Sequence, residues 1–284
     1  MNMDDIDFLI IGAAKSATTW LQRSLQLDPA VCMPDAELHY FSREHHRGDD
    51  WYFAQFPPLQ GGQLVGEKSN SYLDSPEAAT RIHAALPRVK LVAQLRDPVE
   101  RAYSDYCMLY RRGEVGPDIE RHLDPREKAG GRFLENGLYY RQLQAYLENY
   151  PADRLLVLLY EDMQSSPADH LARVRGFLGL DATTSPLPVN EKVKDRTTPV
   201  IAPALRRHLR PFKPIVAPLR RTRFFKTLRG LVARELEYPA LSEDLRLRLV
   251  DYYAAETELL GKLMERDLSE WLGRAGPGRG ERNG

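Results

Sequence analysis

The chain has 284 residues, of which 43% are hydrophobic, and its 40 basic side chains balance 40 acidic ones. This length and apolar content allow one large α/β domain with a sizeable core. Zero net charge gives no global attraction to nucleic acid, so we expect no nucleic-acid partner. Only Cys32 and Cys107 are cysteines, which disfavours a disulfide framework. No apolar run reaches the roughly 18 residues of a membrane span, and we therefore predict a soluble, cytoplasmic protein.

Apolar runs alternate with helix-like stretches along the chain. Buried strands are predicted at residues 8–13, 90–95 and 155–160. Helices are predicted at residues 18–27, 99–112, 139–148, 168–178 and 241–265. This alternation predicts an α/β fold of three layers, with a central parallel sheet flanked by helices. Ligands bind at the carboxyl ends of such strands, which here carry Lys15, Arg96 with Asp97, and Glu161 with Asp162.

The first strand runs directly into a small-residue turn and a helix over residues 7–20, which read Asp-Phe-Leu-Ile-Ile-Gly-Ala-Ala-Lys-Ser-Ala-Thr-Thr-Trp. A helix start leaves its first N–H groups unpaired and carries partial positive charge, which suits a diphosphate-like group. Lys15 adds a full charge, and Ser16, Thr18 and Thr19 add hydroxyls. The spacing differs from that of the common nucleotide loop, which ends in Gly-Lys-Ser/Thr. A core strand that turns into a capped helix is the alternative interpretation.

This loop resembles the 5′-phosphosulfate loop of the sulfotransferase family, usually Pro-Lys-Ser-Gly-Thr-Thr-Trp. Ala14 and Ala17 stand where the family has proline and glycine. The resemblance implies a P-loop-like fold and the co-substrate PAPS (3′-phosphoadenosine 5′-phosphosulfate). It assigns donor binding to Lys15, Ser16, Ala17, Thr18, Thr19 and Trp20. Trp20 either stacks on the adenine, as the matching aromatic does in relatives, or packs its helix against the core.

A second motif opens the helix after the predicted strand at 90–95, where residues 95–106 read Leu-Arg-Asp-Pro-Val-Glu-Arg-Ala-Tyr-Ser-Asp-Tyr. Arg96 can hold a phosphate with two hydrogen bonds, and Ser104 can add a hydroxyl. The stretch resembles the 3′-phosphate-binding motif of sulfotransferases, Arg-Asp-Pro with a serine eight residues after the arginine. A surface pair of Arg96 with Asp97 beside a helix cap is the alternative.

Two further stretches resemble the heparan-sulfate-type branch of N- and O-sulfotransferases. Residues 36–41 (Ala-Glu-Leu-His-Tyr-Phe) match its Lys-Glu-x-His-Phe-Phe, and residues 65–72 (Val-Gly-Glu-Lys-Ser-Asn-Ser-Tyr) match its Glu-Lys-Thr/Ser-Pro-Ala-Tyr. By this resemblance Glu37 is the general base, and Lys68 holds donor or acceptor. His39 is a further catalytic candidate, with a packing role as the alternative.

The chain departs from this branch at Ala36, where the branch has lysine, and at Asn70, where it has proline. A free glutamate has a pKa of about 4.3, so Glu37 is ionised at neutral pH, and we expect partial burial to raise that pKa. Lys15 would stabilise the charge that builds on the leaving phosphate oxygen. A sulfuryl group carries less charge than a phosphoryl group, so we expect no metal ion to take part.

A late stretch at residues 192–199 (Lys-Val-Lys-Asp-Arg-Thr-Thr-Pro) resembles the loop that this branch folds over the nucleotide. The resemblance adds Lys194 and Arg196 to the donor-binding set. We expect a sulfotransferase domain over residues 1–274, with the basic, proline-containing segment 197–238 covering the acceptor cleft. Within that segment, residues 205–234 are a candidate for peripheral membrane contact, and a solvated basic face is the alternative. Residues 275–284 are predicted to be a disordered tail.

Together the motifs resemble those of a bacterial member of the sulfotransferase family, in its heparan-sulfate-type branch of N- and O-sulfotransferases. The activity that this implies is transfer of the sulfuryl group of PAPS to a hydroxyl or amine of a small-molecule, lipid or carbohydrate acceptor. Two alternatives stay open. One is a P-loop nucleotide-dependent kinase, and the other is a non-catalytic anion- or membrane-binding protein built on a sulfotransferase scaffold.

Overall fold

A computed structural model describes residues 1–127, 131–181 and 236–274 of the chain. Within these ranges one sheet contains five strands: β1 (Phe8–Gly12), β2 (Val31–Cys32), β3 (Leu64–Lys68), β4 (Lys90–Leu95) and β5 (Leu155–Leu159). The strand order is β2-β3-β1-β4-β5, and every pairing between neighbours is parallel. The predicted strands β1, β4 and β5 are confirmed, whereas β2 and β3 were not predicted as strands.

The described helices are α1 (Thr18–Gln26), α2 (Asp49–Phe53), α3 (Pro76–Ala85), α4 (Pro98–Arg112), α5 (Glu120–Leu123), α6 (Gly131–Glu135), α7 (Tyr139–Leu147), α8 (Tyr160–Ser165), α9 (Pro167–Leu178) and α10 (Glu243–Leu263). A single π-helical turn spans Tyr40–Glu44. All five predicted helices are confirmed, namely α1, α4, α7, α9 and α10. Their ends lie within two residues of the predicted ones. None of these helices is long and apolar enough to cross a bilayer.

The central strand β1 is buried along its whole length because helices cover both faces of the sheet. Leu9 and Ile11 belong to a core cluster that includes residues of α3 and α7. Phe8 and Ile10 belong to a second cluster, with apolar residues of α1 and α9. Full burial of one such side chain stabilises the fold by about 1.5–3 kcal/mol. The predicted three-layer α/β fold with a central parallel sheet is therefore confirmed.

The parallel arrangement determines where polar side chains gather. Because β1 lies between β3 and β4, the chain leaves three neighbouring strands at one edge of the sheet. The turn after Gly12, the end of β3 at Lys68 and Arg96 after β4 all lie at that edge. The predicted site residues Lys194 and Arg196, most of the segment 197–238 and the tail 275–284 fall outside the described residues.

Candidate active site

A cleft of about 1510 Å³ opens at the carboxyl edge of the sheet. Ligand pockets are commonly about 300–1,000 Å³, so this cleft is large enough for a nucleotide together with a second ligand. The predicted site residues that line it are Lys15, Ala17, Thr18, Thr19, Trp20, Glu37, His39, Arg96 and Ser104. The other two described candidates, Ser16 and Lys68, are buried behind this wall.

The loop between β1 and α1 uses a backbone conformation that favours glycine. Lys15 has a φ of 72° and Ala17 a φ of 59°, both in the left-handed region. Ala17 occupies the position before the first turn of α1, and no side chain in the described ranges caps this helix start. The first N–H groups of α1, from Thr18 onward, therefore lack intrahelical partners next to the cleft. An anion can bind there by both hydrogen bonds and the helix dipole.

The buried side-chain amide of Gln94 supports this loop. The side-chain nitrogen of Gln94, in β4, donates to the backbone carbonyl of Ser16. The backbone carbonyl of Gln94 accepts from the N–H of Ala13 at 2.8 Å. Its side-chain oxygen accepts from Nε2 of His170, in α9, at 2.9 Å. Burial lowers the pKa of His170 to about 4, so the ring is neutral at neutral pH. Trp20 meets this ring edge-on, with centroids 6.2 Å apart.

The second basic side chain, Arg96, follows β4 and reaches the same cleft. Its Nη1 lies 3.5 Å from the carbonyl oxygen of Lys15, and its guanidinium stands 4.8 Å from the ring centre of Tyr160. Its Nη2 lies 3.5 Å from a carboxylate oxygen of Glu100. One helical face of α4 brings Ser104 to the cleft wall as well. The structure thus brings together both motifs that the sequence placed at separate strand ends.

The acidic residues at these strand ends have structural roles. Asp97 caps α4, because its Oδ1 accepts from the N–H groups of Val99 at 2.8 Å and Glu100 at 3.2 Å. Burial raises the pKa of Asp97 to about 6. Glu161 and Asp162 follow β5 at the predicted strand end, but neither lines the cleft.

Each of these two carboxylates has a partner elsewhere. Glu161 accepts from the backbone N–H of Asp97 at 3.1 Å. Asp162 pairs with Arg266, whose two terminal nitrogens lie 2.5 and 2.8 Å from its oxygens. Both residues belong to α8, which follows β5 and lines the cleft with Tyr160, Met163 and Gln164 instead. Their hydrogen bonds join α8 to the start of α4 and to the segment after α10.

Glu37 sits in the cleft wall within a set of donors. Nζ of Lys68 lies 2.8 Å from its Oε1 and 3.2 Å from Oγ1 of Thr19. Asn70 donates to Glu37 twice, from its side-chain nitrogen to Oε1 at 3.2 Å and from its backbone N–H to Oε2 at 3.3 Å. Nε2 of His39 lies 3.7 Å from Oε2. The lysine side chain is 2% exposed, and the carboxylate is 29% exposed to the cleft.

The balance of these contacts decides the protonation of Glu37. Burial raises its pKa, but the charge and hydrogen bond of Lys68 and the N–H of Asn70 lower it by more, so its pKa lies below the ordinary value. Our expectation of a raised pKa is therefore wrong, although the carboxylate is ionised at neutral pH as predicted. Burial lowers the pKa of His39, and its Nδ1 lies 2.7 Å from Oγ of Ser71.

A second carboxylate lies beneath this wall and was not predicted. Glu67 is fully buried and accepts from the hydroxyls of Tyr72 and Ser69, the latter at 2.8 Å. Burial raises its pKa to about 7. Oγ of Ser69 in turn accepts from the N–H of His39 at 2.8 Å. The buried carboxylate thus supports the backbone of the segment that carries Glu37.

Sequence reasoning also missed cleft residues that belong to no local motif. The far wall includes Ser42, Arg43, Asp74, Arg111, Arg112, Arg132 and Asn136. They come from the π-helical turn, the segment before α3, α4 and the region around α6, and only the fold brings them together. For Asn70 a signal did exist, because the departure from proline was visible in the sequence. Among the described side chains, no group of three or more His, Cys, Asp or Glu is arranged to hold a metal ion.

The fold and this cleft define an α/β protein whose cleft lies at the carboxyl edge of a parallel sheet, beside the loop after the first strand. Residues 5–200 match the family described as "Sulfotransferase domain". Because the match covers more than half of the chain, the chain belongs to the sulfotransferase family.

Several characterised relatives match a shorter stretch. Over 178 residues the chain is 36% identical to heparan sulfate glucosamine 3-O-sulfotransferase 3B1 of Mus musculus, covering 61% of this chain and 45% of the relative. The human 3-O-sulfotransferase 6 is 37% identical over 177 residues, covering 61% and 52%. The human bifunctional heparan sulfate N-deacetylase/N-sulfotransferase 2 is 32% identical over 193 residues, covering 61% and 22%. The chain spans about half of these relatives' length or less.

A solved structure agrees over a larger part of the chain. The sulfotransferase from Alicyclobacillus acidocaldarius superposes with a TM-score of 0.69 at 26% sequence identity. The superposition covers 94% of this chain and 98% of the other. The similarity therefore extends beyond the stretch shared with the heparan sulfate enzymes.

Proposed function

We propose that this chain transfers the sulfuryl group of PAPS to a hydroxyl or amine of an acceptor. The observation that supports this most directly is that one cleft contains Lys15, Arg96 and the carboxylate of Glu37. The first two side chains suit the two phosphate-bearing ends of an adenosine bisphosphate. The third is a base that is ionised at neutral pH.

The residues present fit the donor. The start of α1, which no described side chain caps, offers N–H groups to an anion, and Lys15, Thr18 and Thr19 stand beside it. Arg96 and Ser104 provide a cation and a hydroxyl for a second phosphate. By the family resemblance, further donor-binding candidates are Ser16, Trp20, Lys194 and Arg196. When bound, PAPS supplies an activated sulfuryl group together with a leaving group that can carry negative charge.

In this mechanism Glu37 takes the proton from the acceptor while the acceptor oxygen or nitrogen forms its bond to sulfur. The bond from sulfur to the phosphate oxygen breaks, and Lys15 stabilises the negative charge that collects on that oxygen. Lys68 keeps Glu37 oriented through the 2.8 Å bond, and His39 adds a nearby neutral ring. The transferring group carries less charge than a phosphoryl group, so we propose the reaction without a metal ion.

The acceptor class remains a proposal. Three relatives are named for heparan sulfate, so a carbohydrate is the first acceptor to test, before lipids and other small molecules. The far wall of the cleft mixes Arg43 and Arg132 with Asp74, so it presents both signs of charge. A domain over residues 1–274, a cytoplasmic location and membrane contact through 205–234 stay predictions.

Calorimetry with PAP (adenosine 3′,5′-bisphosphate) and with ATP plus magnesium tests the donor. We expect selective binding of PAP, and a preference for ATP would instead favour the kinase alternative. A Glu37→Gln variant tests the base. We expect it to bind PAP as the wild type does and to lose turnover by about 10²–10⁴-fold, the usual contribution of a general base. Near-normal turnover in that variant would remove Glu37 from the mechanism.

A further inference from the structure

We propose that Asn70 is a positioning residue that ties the base Glu37 to the donor-binding helix α1. This inference rests on the proposed function, because it concerns the orientation of the base. Asn70 lies two residues after the end of β3, next to both partners. Its Oδ1 accepts from the hydroxyl of Thr18 at 2.7 Å, and its Nδ2 donates to Oε1 of Glu37 at 3.2 Å.

Asparagine has the chemistry that this bridge needs. Its side-chain amide carries an acceptor and a donor, so it can link a hydroxyl to a carboxylate. The reversed amide would face the carboxylate of Glu37 with its oxygen, so the hydrogen bonds specify one orientation. Proline, which the related branch has at this position, offers neither an N–H nor a polar side chain. Aspartate would replace the donor with a second negative charge.

The bridge through Asn70 does not act alone. Lys68 forms a parallel link, with Nζ 3.2 Å from Thr19 and 2.8 Å from Glu37. Thr18 and Thr19, at the start of α1, are thereby joined to the same carboxylate through Asn70 and Lys68, which lie two residues apart. The backbone N–H of Asn70 holds the other oxygen, Oε2, at 3.3 Å. Both oxygens of the base are therefore oriented, and its position follows that of the donor-binding helix.

The charged and titratable groups that face Glu37 are few in the described structure. Lys68 approaches from β3, and His39 lies on the same segment at 3.7 Å. The carboxyl of Glu67 is buried behind them, and the charge of Glu37 adds to the burial that raises the pKa of Glu67 to about 7. Removal of a donor from Glu37 therefore raises the pKa of its carboxyl, because its charged form is then less well stabilised.

The experiment titrates Glu37 directly in the intact chain, with glutamate labelled by 13C at the carboxyl carbon. The Glu37 signal is assigned as the one missing from Glu37→Gln. We expect the titration midpoint to rise in Asn70→Ala, which removes the side-chain bond, and to rise further in Asn70→Pro, which also removes the N–H. Asn136→Ala is the matched control, because Asn136 lines the same cleft but bonds Asp74, at 2.5 Å. We expect the control to leave the midpoint unchanged.

A double-mutant cycle tests the link to α1. Thr18→Val is expected to raise the midpoint less than Asn70→Ala, and to add nothing in the Asn70→Ala background. A midpoint that is unchanged in Asn70→Ala overturns the proposal, and so does an additive effect of Thr18→Val. Asn70→Ala decides the question even if the proline variant fails to fold. A wild-type chain that does not bind PAP would instead refute the proposed function, and the order of midpoints would still be readable.

Discussion

Helices α1 and α4 both begin at the cleft, each directly after a central strand, yet their first turns differ. α1 begins after a left-handed Ala17, with φ at 59°, and within the described part of the chain no side chain occupies its N–H groups. α4 begins after Asp97, whose carboxylate accepts from the N–H groups of Val99 and Glu100, and Pro98 fills its first position.

The difference shows two ways in which a strand and the following helix can meet an anion. An uncapped helix start can bind the ligand with its own backbone and dipole. At a capped helix start, the capping side chain already accepts from the first N–H groups. Anion binding there depends on other side chains, placed before and after the cap. In this chain Arg96 and Ser104 line the cleft before and after the cap, and we propose them for that role. The two helix starts should therefore respond differently to substitution.

The largest effect is expected at the α1 end. Lys15→Ala should lower turnover by about 10²–10³-fold and also weaken PAP binding, because one charged donor at the leaving oxygen is lost. Lys262→Ala removes an exposed lysine on α10 and is the control, with turnover expected to stay at the wild-type level. Rates measured at saturating donor decide the matter, and an unchanged rate in Lys15→Ala would contradict the assignment.

At the α4 end the effect should be on binding. Arg96→Ala should weaken PAP by roughly 10–100-fold, the loss expected for a hydrogen-bonded charge pair of about 1.5–3 kcal/mol. Calorimetry with PAP and with 5′-AMP, which lacks the 3′-phosphate, sharpens the comparison. Arg96→Ala should lose the preference for PAP, whereas Lys15→Ala should keep it. If Arg96→Ala still prefers PAP, Arg96 does not bind the 3′-phosphate.

The cap of α4 should serve stability rather than binding. Asp97→Ala is expected to cost about 1 kcal/mol in the free energy of unfolding, because two N–H groups lose their acceptor. Burial raises the pKa of Asp97 from 3.8 to about 6, so the folded state holds the proton more tightly than the unfolded state. Its contribution to stability therefore falls as pH rises from about 4 to 6.

Asp97→Asn keeps a capping side chain but cannot titrate. Urea denaturation across this pH range should show that the stability of Asp97→Asn, relative to wild type, increases from pH 4 to 6. A constant difference between the two proteins would show that Asp97 does not titrate in this window. An unchanged stability of Asp97→Ala would show that the cap contributes nothing.

The smallest effect is expected at Ala17. Ala17→Gly should raise the free energy of unfolding by up to about 1 kcal/mol, because glycine adopts a φ of 59° without strain. Ala14→Gly is the matched control in the same loop, since Ala14 has no positive φ. It should lower stability by about 0.4–1 kcal/mol, through the added freedom of the unfolded chain. Equal effects of both variants on denaturation midpoints would contradict this account.

Sequence patterns predicted the elements whose residues repeat regularly or are uniformly apolar. β4 (Lys90–Leu95) and the long α10 (Glu243–Leu263) belong to this group. β2 (Val31–Cys32) has only two residues, too few for a periodic signal. β3 (Leu64–Lys68) ends in Glu67 and Lys68, and both are buried. Because charged residues are usually exposed, these two hid the pattern of a buried strand.

The candidate site was predictable where a motif is continuous in the chain. Lys15, Arg96 and Glu37 each belong to such a motif, and the cleft contains all three. The pKa of Glu37 was not predictable, because its direction depends on Lys68, 31 residues away in sequence and 2.8 Å away in space. The bridging role of Asn70 was hidden for the same reason, since it depends on contacts with Thr18 and Glu37 from separate elements.

The buried side chain of Gln94 connects the loop before α1 to a helix that a bound nucleotide need never touch. It joins the carbonyl of Ser16 to the ring of His170 on the face of the sheet that α1 and α9 cover. A change in the packing of α9 would therefore be transmitted to the loop as altered geometry at the N–H groups that face the cleft. Among homologues, amino-acid substitutions at position 170 should therefore accompany substitutions at position 94. Substitutions in α9 should alter the preference for the donor before they alter the fold.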